Sequence, residues 1–136
     1  MVLFGVSIDF VAVAAAAAAA FVFGVVWFAP PLLGKYWIEE GKLGNSAKAG
    51  MGRTLGSSVV SCLLTAFVLE VLLMALRLPT WASAAELAAL VWLGFYFAKE
   101  FAAVMSGDRT AKVFASIMIH DAMAVLITVA VLFALH

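Results

Sequence analysis

Four long apolar stretches constrain this chain more than any other feature of its sequence. They cover approximately residues 8–28, 54–76, 83–106 and 110–135. A helix needs about 20 apolar residues to cross the hydrocarbon core of a bilayer, and each stretch is long enough. Because a helix satisfies its own backbone hydrogen bonds in lipid, such a stretch folds as an α-helix. The pattern predicts an all-α polytopic membrane protein with four transmembrane helices in a single integral membrane domain, 1–136.

The composition agrees with a membrane protein and gives no sign of catalysis. Of the 136 residues, 67% are hydrophobic and 12% are charged, whereas soluble chains are about half apolar and about a quarter charged. The formal net charge is zero, which does not favour a nucleic-acid partner. The single cysteine, Cys62, excludes an intrachain disulfide. No nucleotide-binding loop or catalytic triad is present, so we expect no enzyme activity and no cofactor.

A double proline ends the first apolar stretch. Pro30 and Pro31 lack the backbone N–H that an α-helix interior needs, so the chain turns here. Leu32, Leu33, Tyr36 and Trp37 then share one face of a helical projection, opposite Lys35, Glu39 and Glu40. This pattern predicts a short amphipathic helix lying on the membrane surface. The side chains expected to anchor the chain at the interface are Trp27, Pro30, Pro31, Tyr36 and Trp37.

The first span carries small residues at every fourth position. These residues are Ala12, Ala16, Ala20 and Gly24. A ladder of this kind allows another helix backbone to come close. It is either a general packing face or a subunit interface, and we expect a homo-oligomer that shares it.

Three sequence signals predict local structure at the helix ends. The segment 41–52 is rich in turn-forming residues and is expected to be a loop. Ser83 and Glu86 have the spacing of a capping box at the start of the third helix. His136, the last residue, is expected to be solvated.

The distribution of basic residues predicts the orientation. Six lie in the loops between the first and second spans and between the third and fourth, namely Lys35, Lys42, Lys48, Arg53, Arg109 and Lys112. The loop between the second and third spans contains one basic residue, Arg77. Loops rich in Lys and Arg stay in the cytoplasm, so both termini are expected outside.

Two blocks of sequence resemble a known family. Trp27-Phe-Ala-Pro-Pro-Leu-Leu-Gly-Lys-Tyr-Trp37 resembles the signature Trp-Tyr-Ser-Pro-x-Leu-Phe-Gly-x-x-Trp of the bacterial family called domain of unknown function 1761. Trp92-Leu-Gly-Phe95 and Gly107-Asp-Arg-x-x-Lys-Val-Phe114 resemble its second block. The resemblance implies four helices in a bacterial cytoplasmic (inner) membrane and implies no activity. Phe28 and Ala29 depart from the signature, because the family usually has hydroxyl side chains there.

Five acidic or basic residues lie more than one helical turn from the ends of the predicted spans, namely Glu70, Lys99, Glu100, His120 and Asp121. Placing such a group in a membrane helix costs about 2.5–3.5 kcal/mol on insertion scales, so each needs a reason. One hypothesis is a polar path through the bundle. In it His120 changes charge near neutral pH, Asp121 and Glu100 accept protons or cations, and Lys99 is the internal counter-ion.

Other interpretations of these groups remain open. Lys99 can pair with Asp121 or Glu100 while His120 bonds a carbonyl, which would only fix the helix register. A metal site made of Glu100, His120 and Asp121 is weakly supported, because the spacing of histidine ligands is missing. Two functions follow: a channel or transporter for protons or a small solute, or a structural or accessory subunit of a larger membrane complex. The lipid bilayer is the partner in either case, and no nucleic acid is expected.

Overall fold

The computed structural model of the protein describes residues 1–28 and 51–136. Four helices in these ranges are long and apolar enough to cross a membrane. They are α1 (Phe10–Trp27), α2 (Met51–Leu76), α3 (Trp81–Met105) and α4 (Ala111–Leu135). The predicted four-helix membrane fold is therefore confirmed. The predicted interfacial helix, with Pro30, Pro31, Tyr36 and Trp37, lies outside the described residues.

A small hairpin precedes α1 and leads directly into its N-terminal cap. Strands β1 (Val2–Leu3) and β2 (Val6–Ser7) pair in antiparallel fashion. The carboxylate of Asp9 then accepts hydrogen bonds from the backbone N–H groups of Val11 and Ala12, at 2.9 and 3.2 Å. The first N–H groups of a helix have no partner within the helix, so this cap satisfies two of them.

The ends of α2 and α3 differ from the prediction. Thr80 is the N-cap of α3: its hydroxyl accepts from the N–H of Ser83 at 3.1 Å, and the Ser83 hydroxyl accepts from the N–H of Thr80 at 3.2 Å. The capping box expected between Ser83 and Glu86 is wrong, because α3 begins at Trp81 and Ser83 already lies in its first turn. Likewise α2 begins at Met51, so the end of the predicted loop 41–52 is helical.

α1 packs against α2 and α4 through its small residues. Ala12, Ala16 and Ala20 are only 1%, 0% and 7% exposed within one chain. Side chains this small allow the backbones to approach closely, which is how helices gain packing energy in lipid. The expectation that a second copy shares this face is therefore wrong for these three residues, because helices of the same chain already cover it. Whether the protein forms a homo-oligomer through another face stays a prediction.

The third span contains a π-helical segment in its middle. α3 is α-helical over Trp81–Val91, π-helical over Trp92–Phe97 and α-helical again over Ala98–Met105. The indole N–H of Trp92 donates a hydrogen bond to the backbone carbonyl of Met118 on α4, at 3.0 Å. π-helical turns inside α-helices occur frequently at functional sites.

A substitution on the inner face of α1 tests this packing. We expect Ala16→Leu to lower the free energy of unfolding by about 1–3 kcal/mol, because three extra carbons cannot fit between closely packed backbones. Ala18→Leu is the matched control, since Ala18 is exposed on the same helix. Unfolding in mixed micelles with increasing sodium dodecyl sulfate would measure both. Equal stability of the two variants would contradict the packing described here.

Candidate functional site

His120 lies on α4 in a box of aromatic rings. Its imidazole stacks on Phe23 with ring centroids 5.5 Å apart and an interplanar angle of 10°. Trp27 and Phe28 contribute two further rings, with centroids at 6.4 and 4.7 Å from that of the imidazole. Gly24 makes room for the ring, because a Cβ atom at this position would lie 3.2 Å from His120 Nε2. The imidazole is therefore held between the end of α1 and α4.

Asp121 determines which nitrogen of His120 carries a proton. Nδ1 of His120 lies 2.9 Å from Oδ1 of Asp121. An ionised carboxylate only accepts hydrogen bonds, so Nδ1–H is the donor, and Nε2 is the accepting nitrogen of the neutral ring. The side chains of the pair are only 17% and 18% exposed.

Three buried polar atoms, one of the His120 ring and two of other residues, have no hydrogen-bond partner among the described residues. Among the described residues, Trp27 Nε1, Ser116 Oγ and His120 Nε2 are buried and make no hydrogen bond. Ser116, which is 4% exposed, lies one helical turn before His120 and therefore on the same face of α4. An unsatisfied buried polar group costs about 1–3 kcal/mol, so a group of them requires a specific explanation. We call Trp27, Ser116, His120 and Asp121 the His120 site.

The π-helical segment of α3 contains Tyr96, whose hydroxyl lies 3.4 Å from Oγ1 of Thr65 on α2. The His120 site itself is formed by α1 and α4. It can bind a small polar molecule or exchange a proton at Nε2 of His120.

Glu70 belongs to a separate cluster at another level of the bundle. It is 0% exposed, and its two carboxylate oxygens lie 2.8 and 3.0 Å from Nε2 of His136. Oε1 also accepts a hydrogen bond from the backbone N–H of Asp9 at 3.2 Å. The expectation that His136 is merely solvated is therefore wrong, because its ring is bound by a buried carboxylate. This cluster joins the end of α4 and the end of α2 to the start of α1.

Glu100 and Lys99 lie apart from both clusters. Glu100 pairs with Arg109, whose Nε is 3.3 Å from Oε2 of the glutamate. Lys99 is exposed on α3. The alternative in which Lys99 pairs with Glu100 or Asp121 is wrong: neighbouring helix residues point about 100° apart, and Arg109 meets Glu100 from the turn after α3. Of the five ionisable residues predicted to form a path, the structure brings together only His120 and Asp121.

Two residues described above were missed in the sequence. Ser116 has a detectable signal, because it precedes the intramembrane histidine by four residues. Tyr96 has none, since its direction depends on the π-helical turn. Trp27 was predicted to anchor the chain at the interface, and in the structure its indole nitrogen is buried beside His120. Within residues 1–28 and 51–136, His, Cys, Asp and Glu form no group of three that would hold a metal ion.

The four apolar helices and the buried polar groups between them define a polytopic α-helical membrane protein. The family described as "Protein of unknown function (DUF1761)" matches residues 11–133, so the chain belongs to that family. No curated protein and no solved structure matches the chain.

A change at Gly24 tests the geometry around His120. We expect Gly24→Ala to displace the imidazole by a few tenths of an ångström, because the new methyl group would lie 3.2 Å from Nε2. The ¹⁵N chemical shifts of the His120 ring in micelles would report this movement. Gly94→Ala is the control, since a Cβ atom there meets nothing within 4 Å. Unchanged His120 shifts in Gly24→Ala would contradict the contact.

Substitutions of Glu70 test the second cluster. We expect Glu70→Ala to lower the free energy of unfolding by about 3–5 kcal/mol, since it leaves buried hydrogen-bond partners without an acceptor. Glu70→Gln should cost less, because its side-chain oxygen can still accept from the N–H of Asp9. Equilibrium unfolding in mixed micelles would measure both losses. If Glu70→Ala lowered the free energy of unfolding by less than about 1 kcal/mol, as an ordinary surface substitution does, Glu70 would not be a stabilising residue of the fold.

Proposed function

We propose that the protein is a small channel or transporter for protons or a small polar solute, and that the His120 site is its intramembrane binding point. We place it in a bacterial cytoplasmic membrane with both termini outside, following the distribution of basic residues. The observation that carries the proposal is the buried Nε2 of His120, which makes no hydrogen bond among the described residues. An ionisable group inside a membrane helix marks a substrate or proton pathway by default.

The chemistry of the site suits a transferable proton. Nε2 of the neutral imidazole accepts a proton, and the resulting cation keeps its Nδ1–H bond to the Asp121 carboxylate. The indole N–H of Trp27 is a donor only, and the hydroxyl of Ser116 both donates and accepts. A water molecule or small polar solute would find a donor and acceptors here.

The depth of the site supports the same function. His120 is the tenth residue of α4, about 14 Å from the start of the helix. The ring also lies beside Trp27, the last residue of α1, so the site is within α4 but at the end of α1. An ionisable group inside one spanning helix and beside the end of another is a place where a proton or polar solute can enter the bundle.

Flux measurements in liposomes test this function. We expect His120→Gln to reduce pH-gradient-driven proton flux at least tenfold, because the amide cannot take up a proton. Asp121→Asn should reduce it less, since a neutral partner stabilises the imidazolium more weakly. A pH-sensitive dye inside proteoliposomes, with a potassium diffusion potential to drive entry, would measure the rates.

The control for these variants is Lys99→Gln, which removes an exposed charge from a span without touching the His120 site. It should leave the flux unchanged. If the wild type carries no protons under any gradient, the same vesicles are tested with small polar solutes. Wild-type transport unaffected by His120→Gln would refute the proposed role of the site.

A second candidate function is that of an accessory subunit, and α3 favours it. Only 6% of the most apolar window of α3 is buried, against 28–33% in the other three helices. Its exposed residues include the small side chains of Gly94, Ala98 and Ala102, which would let a partner helix approach. This function predicts a stoichiometric protein partner after gentle extraction, detected by native mass spectrometry, and no flux from the purified chain.

A further inference from the structure

A cavity of about 360 Å³ lies between the ends of α2 and α4. Its lining consists of Leu73, Met74, Arg77, Leu78, Phe133 and His136. The volume falls within the range of about 300–1,000 Å³ that is typical of small-ligand sites. The cavity is distinct from the His120 site, because His136 and His120 are sixteen residues apart on one helix axis, about 24 Å.

Arg77 provides the positive charge of this cavity. It follows the last residue of α2, is exposed, and adopts a left-handed backbone with φ of 50°. Its N–H donates to the carbonyl of Leu73 at 3.1 Å, which ends the helix in the manner usually associated with glycine. A guanidinium group therefore occupies a position where the backbone alone would favour glycine. The contribution of the guanidinium group to the cavity accounts for an arginine at this position.

The remaining lining combines one polar ring with apolar side chains. When the imidazole of His136 is protonated, Nε2–H donates to the carboxylate of Glu70 and Nδ1–H can donate to a ligand. Phe133 packs edge-on against Trp81, with ring centroids 4.7 Å apart. Trp81 is itself 57% exposed at the start of α3, as is typical of tryptophan at the membrane–water interface.

We propose that this cavity binds the phosphate headgroup of an anionic phospholipid. Its place at the ends of two spanning helices coincides with the level of lipid headgroups. The fork of N–H groups on Arg77 matches phosphate oxygens in pairs, and a protonated His136 adds a further N–H donor. The apolar side chains of Leu73, Met74 and Phe133 supply a surface for the acyl chains. Among the described residues, the lining contains no Asp or Glu side chain, and the Glu70 carboxylate behind His136 is already bonded to that ring.

Thermal unfolding of the full chain in detergent, titrated with defined lipids, tests the proposal. A ligand that binds only the folded state raises the unfolding temperature with its concentration. We expect dioleoyl phosphatidylglycerol to bind about tenfold more tightly than dioleoyl phosphatidylcholine. Arg77→Gln should abolish this preference, because a charge-assisted hydrogen bond contributes about that factor. Arg53→Gln, which removes an arginine from the other end of α2, should keep it.

Arg77→Gly separates loss of binding from loss of folding. Glycine adopts the left-handed conformation without strain, so this variant should unfold without lipid at the wild-type temperature or above. It should nevertheless lose the preference for phosphatidylglycerol. Inorganic phosphate alone should give no protection.

Three results would overturn the proposal. Equal binding of the two lipids by the wild type would exclude a site selective for anionic headgroups. A preference that survives in both Arg77 variants would place the binding elsewhere. Protection by inorganic phosphate equal to that by phosphatidylglycerol would show that the cavity takes a soluble anion instead of a lipid.

Discussion

The close approach of α1 to α2 and α4 is the interaction on which the rest of the structure depends. Lipid tails are as apolar as leucine, so helices in a bilayer gain little from burying apolar surface and must gain from tight contact. Ala12, Ala16 and Ala20 permit this contact because they are almost completely buried without adding bulk. The next position at the same spacing is Gly24, which faces His120. The packing ladder and the His120 site are thus parts of a single feature of α1.

The Glu70 cluster fixes the height of α1 in the bundle. A run of alanines packs almost equally well if it slides by one turn, so the ladder alone does not define the register. The bond from the N–H of Asp9 to Glu70 and the bond from Glu70 to His136 connect the start of α1 to the ends of α2 and α4. With this end fixed, Gly24 meets His120 at the other end of the same helix. A distant hydrogen bond therefore contributes to the geometry of the site.

Hydropathy and helical periodicity were sufficient to predict the four helices and the small-residue face of α1. They did not predict which polar groups pair, because pairing depends on the order and relative heights of the helices. Glu70 and His136 are 66 positions apart, and their hydrogen bond appears only once α2 and α4 end at the same level. The contact of Trp27 with His120 likewise depends on where α1 ends along α4, which the apolar pattern does not specify. The direction of Tyr96 depends on a π-helical turn that no apolar pattern reveals.

The two buried polar clusters differ in how well their hydrogen bonds are satisfied, and this difference separates structure from function. Glu70 has bonds to both of its carboxylate oxygens, as expected for a buried group that stabilises the fold. The His120 site has one good hydrogen bond, to Asp121, and several buried polar atoms without a partner among the described residues. The unpaired donors and acceptors of the His120 site would form hydrogen bonds only with a bound polar molecule. For that reason the imidazole of His120, and not the fully bonded carboxylate of Glu70, is the group that we connect with transport.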